Sequence, residues 1–226
     1  MNHSPLSDLA GVTALAGRVI ADSAILENPY FSDLESGAMT VKRFLASQQQ
    51  FYFAVTYFSR PMSALMMRID DPEDRLNILE NIVEEHGEFR RSAFHEATFR
   101  KFLESLGGSS NRPLLGDQQP PVQAFNLALI GTCTQQPICV GVACLGIIEF
   151  AFAEIASLIG RSVVQRGWVS QDDLVHYKLH AEIDRQHAAD FFSLVAPKWD
   201  DPTHRLQVEQ GMRLGVYLFD RLYADL

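Results

Sequence analysis

Three side chains in the segment Asp172–Leu194 are spaced for shared chemistry: His180, Asp184 and His187 stand at i, i+4 and i+7. On a helix of about 3.6 residues per turn these positions share one face, so the three side chains project into one volume. Two imidazoles and a carboxylate form a ligand set suited to iron, manganese or zinc. Val175, Leu179, Ile183 and Phe191 run close beside them on the helical wheel, which places the trio at the border of the buried side. Such a cluster is costly to bury unless it is paired or metal-bound. On this segment alone, a solvated or hydrogen-bonded helix face is the competing reading.

A metal site needs donors from other elements, and two stretches offer them. The run Glu84-Glu85-His86-Gly87-Glu88 precedes His95; on a continuous helix, Glu85 or Glu88 would share a face with His95. Glu84 and Glu88 read as a solvated acidic face beside Arg90 and Arg91, and Gly87 marks a bend or an end. Glu149 lies in an apolar run, after Cys144, Leu145, Ile147 and Ile148 and before Phe150 and Phe152, where a lone carboxylate is expensive. Glu154 falls at a different angle. The set Glu85, His95, Glu149, His180, Asp184 and His187 supplies three carboxylates and three imidazoles. This matches two metal ions better than one, as in helical di-iron carboxylate proteins. A carboxylate-rich set without thiolate favours iron over zinc.

The elements that must position these residues read as helices. Apolar residues recur at helical spacing in Leu6–Glu27 (Leu9, Val12, Leu15, Ala16, Val19), and Asn28-Pro29-Tyr30 breaks the pattern. Thr40 is the expected N-cap of an aromatic-rich helix, Val41–Arg60, with Pro61 at a kink or a new turn. Helix is expected from Glu73 to about Gly87 and again through Phe94–Leu106, then a surface loop to Pro120-Pro121. Val122–Thr134 and a long apolar helix Ile138–Ile159, closed by Gly160, follow. Ser170 and Asp173 resemble a capping signal for the helix carrying His180. The last helix is Thr203–Leu226, with Leu206, Met212, Val216, Phe219 and Leu222 as its core face. No strand-type alternation appears. The expected architecture is all-α, a single seven-helix bundle over residues 1–226.

Bulk properties narrow the function. The 226 residues are 47% hydrophobic and 21% charged, enough apolar mass for a substantial core. A net charge of -9 argues against nucleic acid as a partner. Met1–Leu6 shows no secretory signal, and Ile138–Ile148 alone is too short to span a bilayer. Cys133, Cys139 and Cys144 form no CxxC pair and read as reduced, buried residues of a cytoplasmic protein.

The pattern Asn81-Ile82-Val83-Glu84-Glu85-His86-Gly87, His95, Glu149, His180-x₃-Asp184-x₂-His187 resembles the heme-oxygenase-like di-metal oxidases and oxygenases. Their seven-helix fold is shared with thiaminase II and the pyrroloquinoline quinone synthase. The resemblance covers about the whole chain. It implies that Glu85, which follows Asn81 by four, takes the first glutamate position, that His95 takes the first histidine position, and that all six ligand positions are matched. It further implies two Fe(II)/Fe(III) ions per chain, O₂ as co-substrate and a small-molecule substrate, an amine, amino acid or fatty acid. The outcomes known in the family include N-oxygenation, oxidative C–C cleavage to a terminal alkene by fatty-acid decarboxylases, and conversion of an amino acid to a nitrile. The stretch from Gln48-Gln49-Gln50-Phe51-Tyr52 through His86 is most similar to a largely cyanobacterial group acting in natural-product biosynthesis, including a nitrile synthase for a halogenated tryptophan. The self-sacrificing para-aminobenzoate synthases of the family carry a lysine after the second glutamate, where this chain has Ser157-Leu158-Ile159. Thiaminase II needs a cysteine nucleophile, and the three cysteines here lie outside its motif.

The substrate cavity is expected between the aromatic helix (Phe51, Tyr52, Val55, Phe58) and the apolar helix (Cys144, Phe152). Arg60, Arg68 and Arg185 are candidate partners for a charged substrate end. A homodimer and the absence of membrane contact are further expectations. A metal-free small-molecule binder on the same fold is the rival reading.

Overall fold

The structure, a computed structural model, describes residues 5–226. The described residues form ten α-helices: α1 (Pro5–Ser23), α2 (Pro29–Ser36), α3 (Val41–Val55), α4 (Ser59–Met66), α5 (Asp74–Glu85), α6 (His95–Ser105), α7 (Pro120–Gln135), α8 (Ile138–Gln165), α9 (Val175–Val195) and α10 (Pro202–Asp225). Short 3₁₀ turns join several of them, and no strand occurs among the described residues. The seven helical units expected from periodicity are present. Two are cut, α3 from α4 and α5 from α6, and α2 is added.

Helix α8 is the axis of the bundle. Its 28 residues span about 42 Å at about 1.5 Å per residue. It packs along α9 and α10 and also meets α1, α2, α4 and α7. Helices on all sides explain why it is apolar around its circumference. Gly160 does not end it. A Cβ there would lie 2.9 Å from Leu174 Cδ2, so this glycine admits a neighbour while the helix runs on to Gln165. The stop comes at Gly167, whose φ of +66° ends the α-helical path. The full helix, like Asp8–Glu27, is long and apolar enough to cross a bilayer, which corrects the expectation drawn from Ile138–Ile148; most of α8 is buried among its neighbours.

Two glycines on α10 set its distance from α8. A Cβ at Gly211 would lie 2.4 Å from Val140 O, and one at Gly215 would lie 2.5 Å from Cys144 O. The buried face of α10 is Val208, Met212, Val216, Phe219 and Leu222. Leu206, expected on that face, is 68% exposed, because it lies off the stripe that Val208 begins.

Local signals account for the other ends. Thr40 Oγ1 accepts from Arg43 N at 3.2 Å, the expected cap of α3. That helix stops at Val55, five residues early, and Pro61 falls in the first turn of α4, where its missing N–H costs little. Asn28-Pro29-Tyr30 both breaks and starts: Asn28 Oδ1 accepts from Tyr30 N at 3.0 Å and Pro29 opens α2. Pro120 and Pro121, expected in the loop, form the first turn of α7 for the same reason. Ser170 and Asp173 are bonded as expected (2.7 Å), but they close a turn and α9 begins at Val175.

Gly215→Ala places a methyl against backbone that cannot retreat. A loss of about 1–3 kcal/mol is expected, read as a lower urea midpoint with unchanged m-value.

Candidate metal centre

Four helices bring the six sequence-derived residues together. Glu85 is the last residue of α5 and His95 the first of α6; Glu149 is in the middle of α8; His180, Asp184 and His187 lie on α9. His95 is 2%, Glu149 3%, His180 5%, Asp184 0% and His187 2% exposed. On α9 the polar stripe is itself the buried one. Val175, read as lying toward the core, is 48% exposed.

Glu85 and His95 do not meet through a continuous helix. The chain turns sharply at Gly87, Glu88 and Phe89, with φ of +56°, +50° and +66°. A Cβ on Gly87 would lie 2.4 Å from Ala93 C, so only glycine allows the chain to fold back so closely. The reversal sets the end of one helix against the start of the next, and Glu85 Oε1 comes 3.0 Å from His95 Nδ1. Glu88 points away and pairs with Arg90 at 2.8 Å, as a solvated residue should.

On α9 the remaining contacts divide His180 and His187 each into a committed nitrogen and a free one. His180 Nδ1 donates to Asp184 Oδ1 at 2.8 Å. His187 Nε2 bonds Glu84 Oε2 at 2.5 Å. His187 Nδ1 faces Asp184 Oδ1 at 3.7 Å and Glu149 Oε2 at 3.8 Å. Glu149, Asp184 and His187 each offer a ligand atom, all within 4.8 Å of one another. Buried atoms without a hydrogen-bond partner include His95 Nδ1, Glu149 Oε1, His180 Nε2, Asp184 Oδ2 and His187 Nδ1. Buried polar atoms are rarely left so, and five converging orphans of ligand type fit a pair of cations.

The electrostatics show the same need. Burial, reinforced by the Asp184 charge, pushes Glu149 up to about 7. Burial also drives Asp184 well above the carboxylate range. Burial and the neighbouring His95 lower His180 to about 3. His187 goes the other way, to about 10, because its carboxylate neighbours, Glu149 foremost, outweigh the burial that opposes its charge. Without cations the cluster keeps protons where ligands would have none.

Two members were missed from sequence. Glu84, read as solvated, holds His187 through Nε2 and so orients its other nitrogen, as outer carboxylates do for metal-bound histidines. His176 is fully buried and lines the same cavity. Its spacing of four from His180 was the available signal.

Beside the cluster lies a cavity of about 50 Å³ walled by Phe51, Val55, Phe58, Phe125, Phe152 and Phe219. Two residues expected to line it do not. Tyr52 turns outward, its hydroxyl donating to Glu96 at 2.9 Å, and Cys144 is buried where α10 crosses α8. A second, polar cleft of about 350 Å³ lies outside; Glu85 and Val55 line both spaces, and Arg60 and Arg112 line the cleft.

A family model described as iron-containing redox enzyme matches residues 45–220. The 4-aminobenzoate synthase of Chlamydia muridarum is 24% identical over 89% of this chain and 85% of its own length. That of Chlamydia trachomatis is 23% identical over 92% and 89%. A domain of unknown function with a heme oxygenase-like fold from Shewanella denitrificans superposes with a TM-score of 0.78 at 16% identity, covering 94% of this chain and 90% of that one. A CADD-like protein of unknown function from Nostoc punctiforme gives 0.79 at 15%, covering 97% and 96%.

In metal-free protein, Glu149 supports the fold while protonated. That contribution is full below the usual carboxylate range and is lost as pH rises through about 7. Glu149→Gln is expected to leave the melting temperature in chelator unchanged near pH 5 and to raise it by about 5–10 °C at pH 8. Equal effects at both pH values would show that Glu149 is not held neutral.

Proposed function

Since the chain belongs to the family of iron-containing redox enzymes, we propose that it is a non-heme di-iron oxidase or oxygenase acting with O₂ on a small, amino-acid-like substrate. The observation that carries this is the convergence of orphaned carboxylate and imidazole atoms in a site closed to water. Glu85, His95 and His180 would hold one ion, and Glu149, Asp184 and His187 the other. Bound iron would supply the electrons and open positions for O₂ chemistry.

The chain's own residues do the rest. Glu84 fixes the ring of His187, and Asp184 fixes that of His180. The phenylalanines beside the cluster keep bulk water from the reacting centre. The substrate approaches from the outer cleft past Val55 and Glu85, since these two residues separate cleft from cavity. Arg60 is the arginine suited to a substrate carboxylate. Arg68 is committed to Cys133 O at 2.6 Å, Arg185 to Glu154, and Arg112 to Glu96 at 3.2 Å. Arg60 lies over the Tyr57 ring at 5.0 Å and forms no ion pair among the described residues.

The relatives' name, 4-aminobenzoate synthase, supports an aromatic substrate or product. A self-sacrificing route is not favoured: Ile159 is fully buried in the region where the resemblance expects a lysine, and Lys42, Lys101, Lys178 and Lys198 are all exposed. The substrate is therefore an external molecule. Conversion to a nitrile, N-oxygenation and oxidative C–C cleavage are the outcomes open to it. The orphaned donors disfavour a metal-free binder. Three free thiols accord with a cytoplasmic setting.

Anaerobic titration with Fe(II) should saturate at two ions per chain, and mixing with air should give a transient visible band. No uptake, or uptake without an oxygen-dependent change, overturns the proposal. His180→Ala and Asp184→Ala are expected to lose iron while keeping helical circular dichroism. Once a turnover substrate is found, Arg60→Ala should raise its KM by about 10-fold or more with little change in kcat, the loss of one charge-assisted contact. An unchanged KM would place the carboxylate elsewhere.

A further inference from the structure

His176 stands one helical turn before His180 on α9, with ring centroids 4.3 Å apart. Its ring is also 6.0 Å from that of His95, and it lines the cavity with Glu85, His95, Glu149 and His180. The question is which of its nitrogens carries the proton, and Thr98 answers it. The Thr98 hydroxyl has one proton and gives it to His95 O at 3.1 Å. Toward His176 Nδ1, 3.3 Å away, the same oxygen can then only accept. With the hydroxyl turned to His95 O, Nδ1 bears the hydrogen and Nε2 bears the lone pair. That nitrogen is fully buried and has no hydrogen-bond partner.

A histidine that served only to pack would engage Nε2 with a donor or with solvent. Here the surrounding groups deny it both. Phe99 packs against one side of the ring, centroids 4.8 Å apart, and Tyr177, next in the chain, lies 5.5 Å away at a T-shaped angle. Its hydroxyl is spent on Gln48. The titratable groups that share the cavity with His176 are Glu85, Glu149, His95 and His180, already candidate ligands.

We propose that His176 is a seventh protein donor of the metal centre, binding through Nε2 and forming a three-imidazole face with His95 and His180. This rests on the di-metal reading above. It adds a residue outside the six positions that the family resemblance supplies. Thr98 acts as its positioning residue: it fixes the tautomer, as an outer-sphere acceptor does for a ligating histidine. A neutral imidazole suits iron and adds no charge to a site in which three carboxylates already offset most of the charge of two divalent ions.

Co(II) loaded into metal-free protein reads the donors directly, through its ligand-field absorption and through hyperfine-shifted proton resonances, without any turnover. Wild-type protein should bind two Co(II) and show four shifted, exchangeable imidazole N–H signals, from His95, His176, His180 and His187. His176→Ala should lose one signal, shift the absorption band and weaken one of the two Co(II) sites by at least 10-fold. Thr98→Val should keep both ions and all four rings but move the His176 signal. Three signals in the wild type, or an unchanged spectrum and affinity in His176→Ala, overturn the assignment of His176 and leave the di-metal reading in place. No Co(II) binding by the wild type overturns both. The wild-type count does not depend on whether His176→Ala folds.

Discussion

The structure depends on one electrostatic constraint: carboxylates and imidazoles are collected where water cannot reach them. Asp184 is fully buried and Glu149 nearly so, and an unpaired ion in such a place costs several kcal/mol. Partial pairing meets some of that cost, between Glu85 and His95 and between His187 and Glu84. The rest stays open in the orphaned atoms. The helices do not need charge for packing; apolar side chains of similar volume fill such a space at no electrostatic cost. Their presence in the middle of the bundle is a cost the fold carries for the cations that would neutralise it.

The framework around the cluster follows from holding it rigidly. Each donor on α8 and α9 sits within a long helix whose backbone is satisfied internally and whose flanks are packed, so its position is set over several turns. Small residues make the close crossings, Gly211 and Gly215 on α10 and Gly146 on α8 beside Phe191 and Phe192. The Glu85–His95 side is built differently. These donors are helix ends joined by a turn with three residues at positive φ, two of them not glycine. Left-handed backbone costs a non-glycine residue about 1 kcal/mol or more. The site is thus assembled from a rigid half and a half whose geometry rests on a tight chain reversal.

Much of this was legible in the sequence, for a physical reason. Helical periodicity is written in side-chain type, so the bundle could be read from Val12, Ala16 and Val19 or from Met212, Val216 and Phe219. The i, i+4, i+7 spacing of His180, Asp184 and His187 survived because no break intervenes in α9. What failed was whatever depends on a neighbour distant in the chain. Gly160 reads as a stop until Leu174 is known to pack on it. Glu84 reads as solvated until His187 arrives from α9. His176 stands four residues before His180, but its surroundings are hidden until α6 brings His95, Phe99 and Thr98 beside it. Helical spacing leaves both Glu85 and Glu88 open as partners of His95, and it is the reversal at Gly87 that brings Glu85 to His95, since no local signal distinguishes a continuous helix from one that reverses there and restarts.

Access to the cluster is governed by the same asymmetry. Helices α8, α9 and α10 close the back of the cavity with Ile148, Glu149, Phe152, His176, His180 and Phe219. The residues that border both the cavity and the outer cleft, Val55 and Glu85, come from the end of α3 and the end of α5. Helix ends have fewer internal bonds than helix interiors, so the side facing the cleft is the one best able to yield. A substrate too large for a cavity of about 50 Å³ must displace something there, and Glu85 is both wall and candidate donor. On the proposed reading, entry of substrate and completion of a metal centre would act on the same side chain, Glu85, which would couple the two events through geometry.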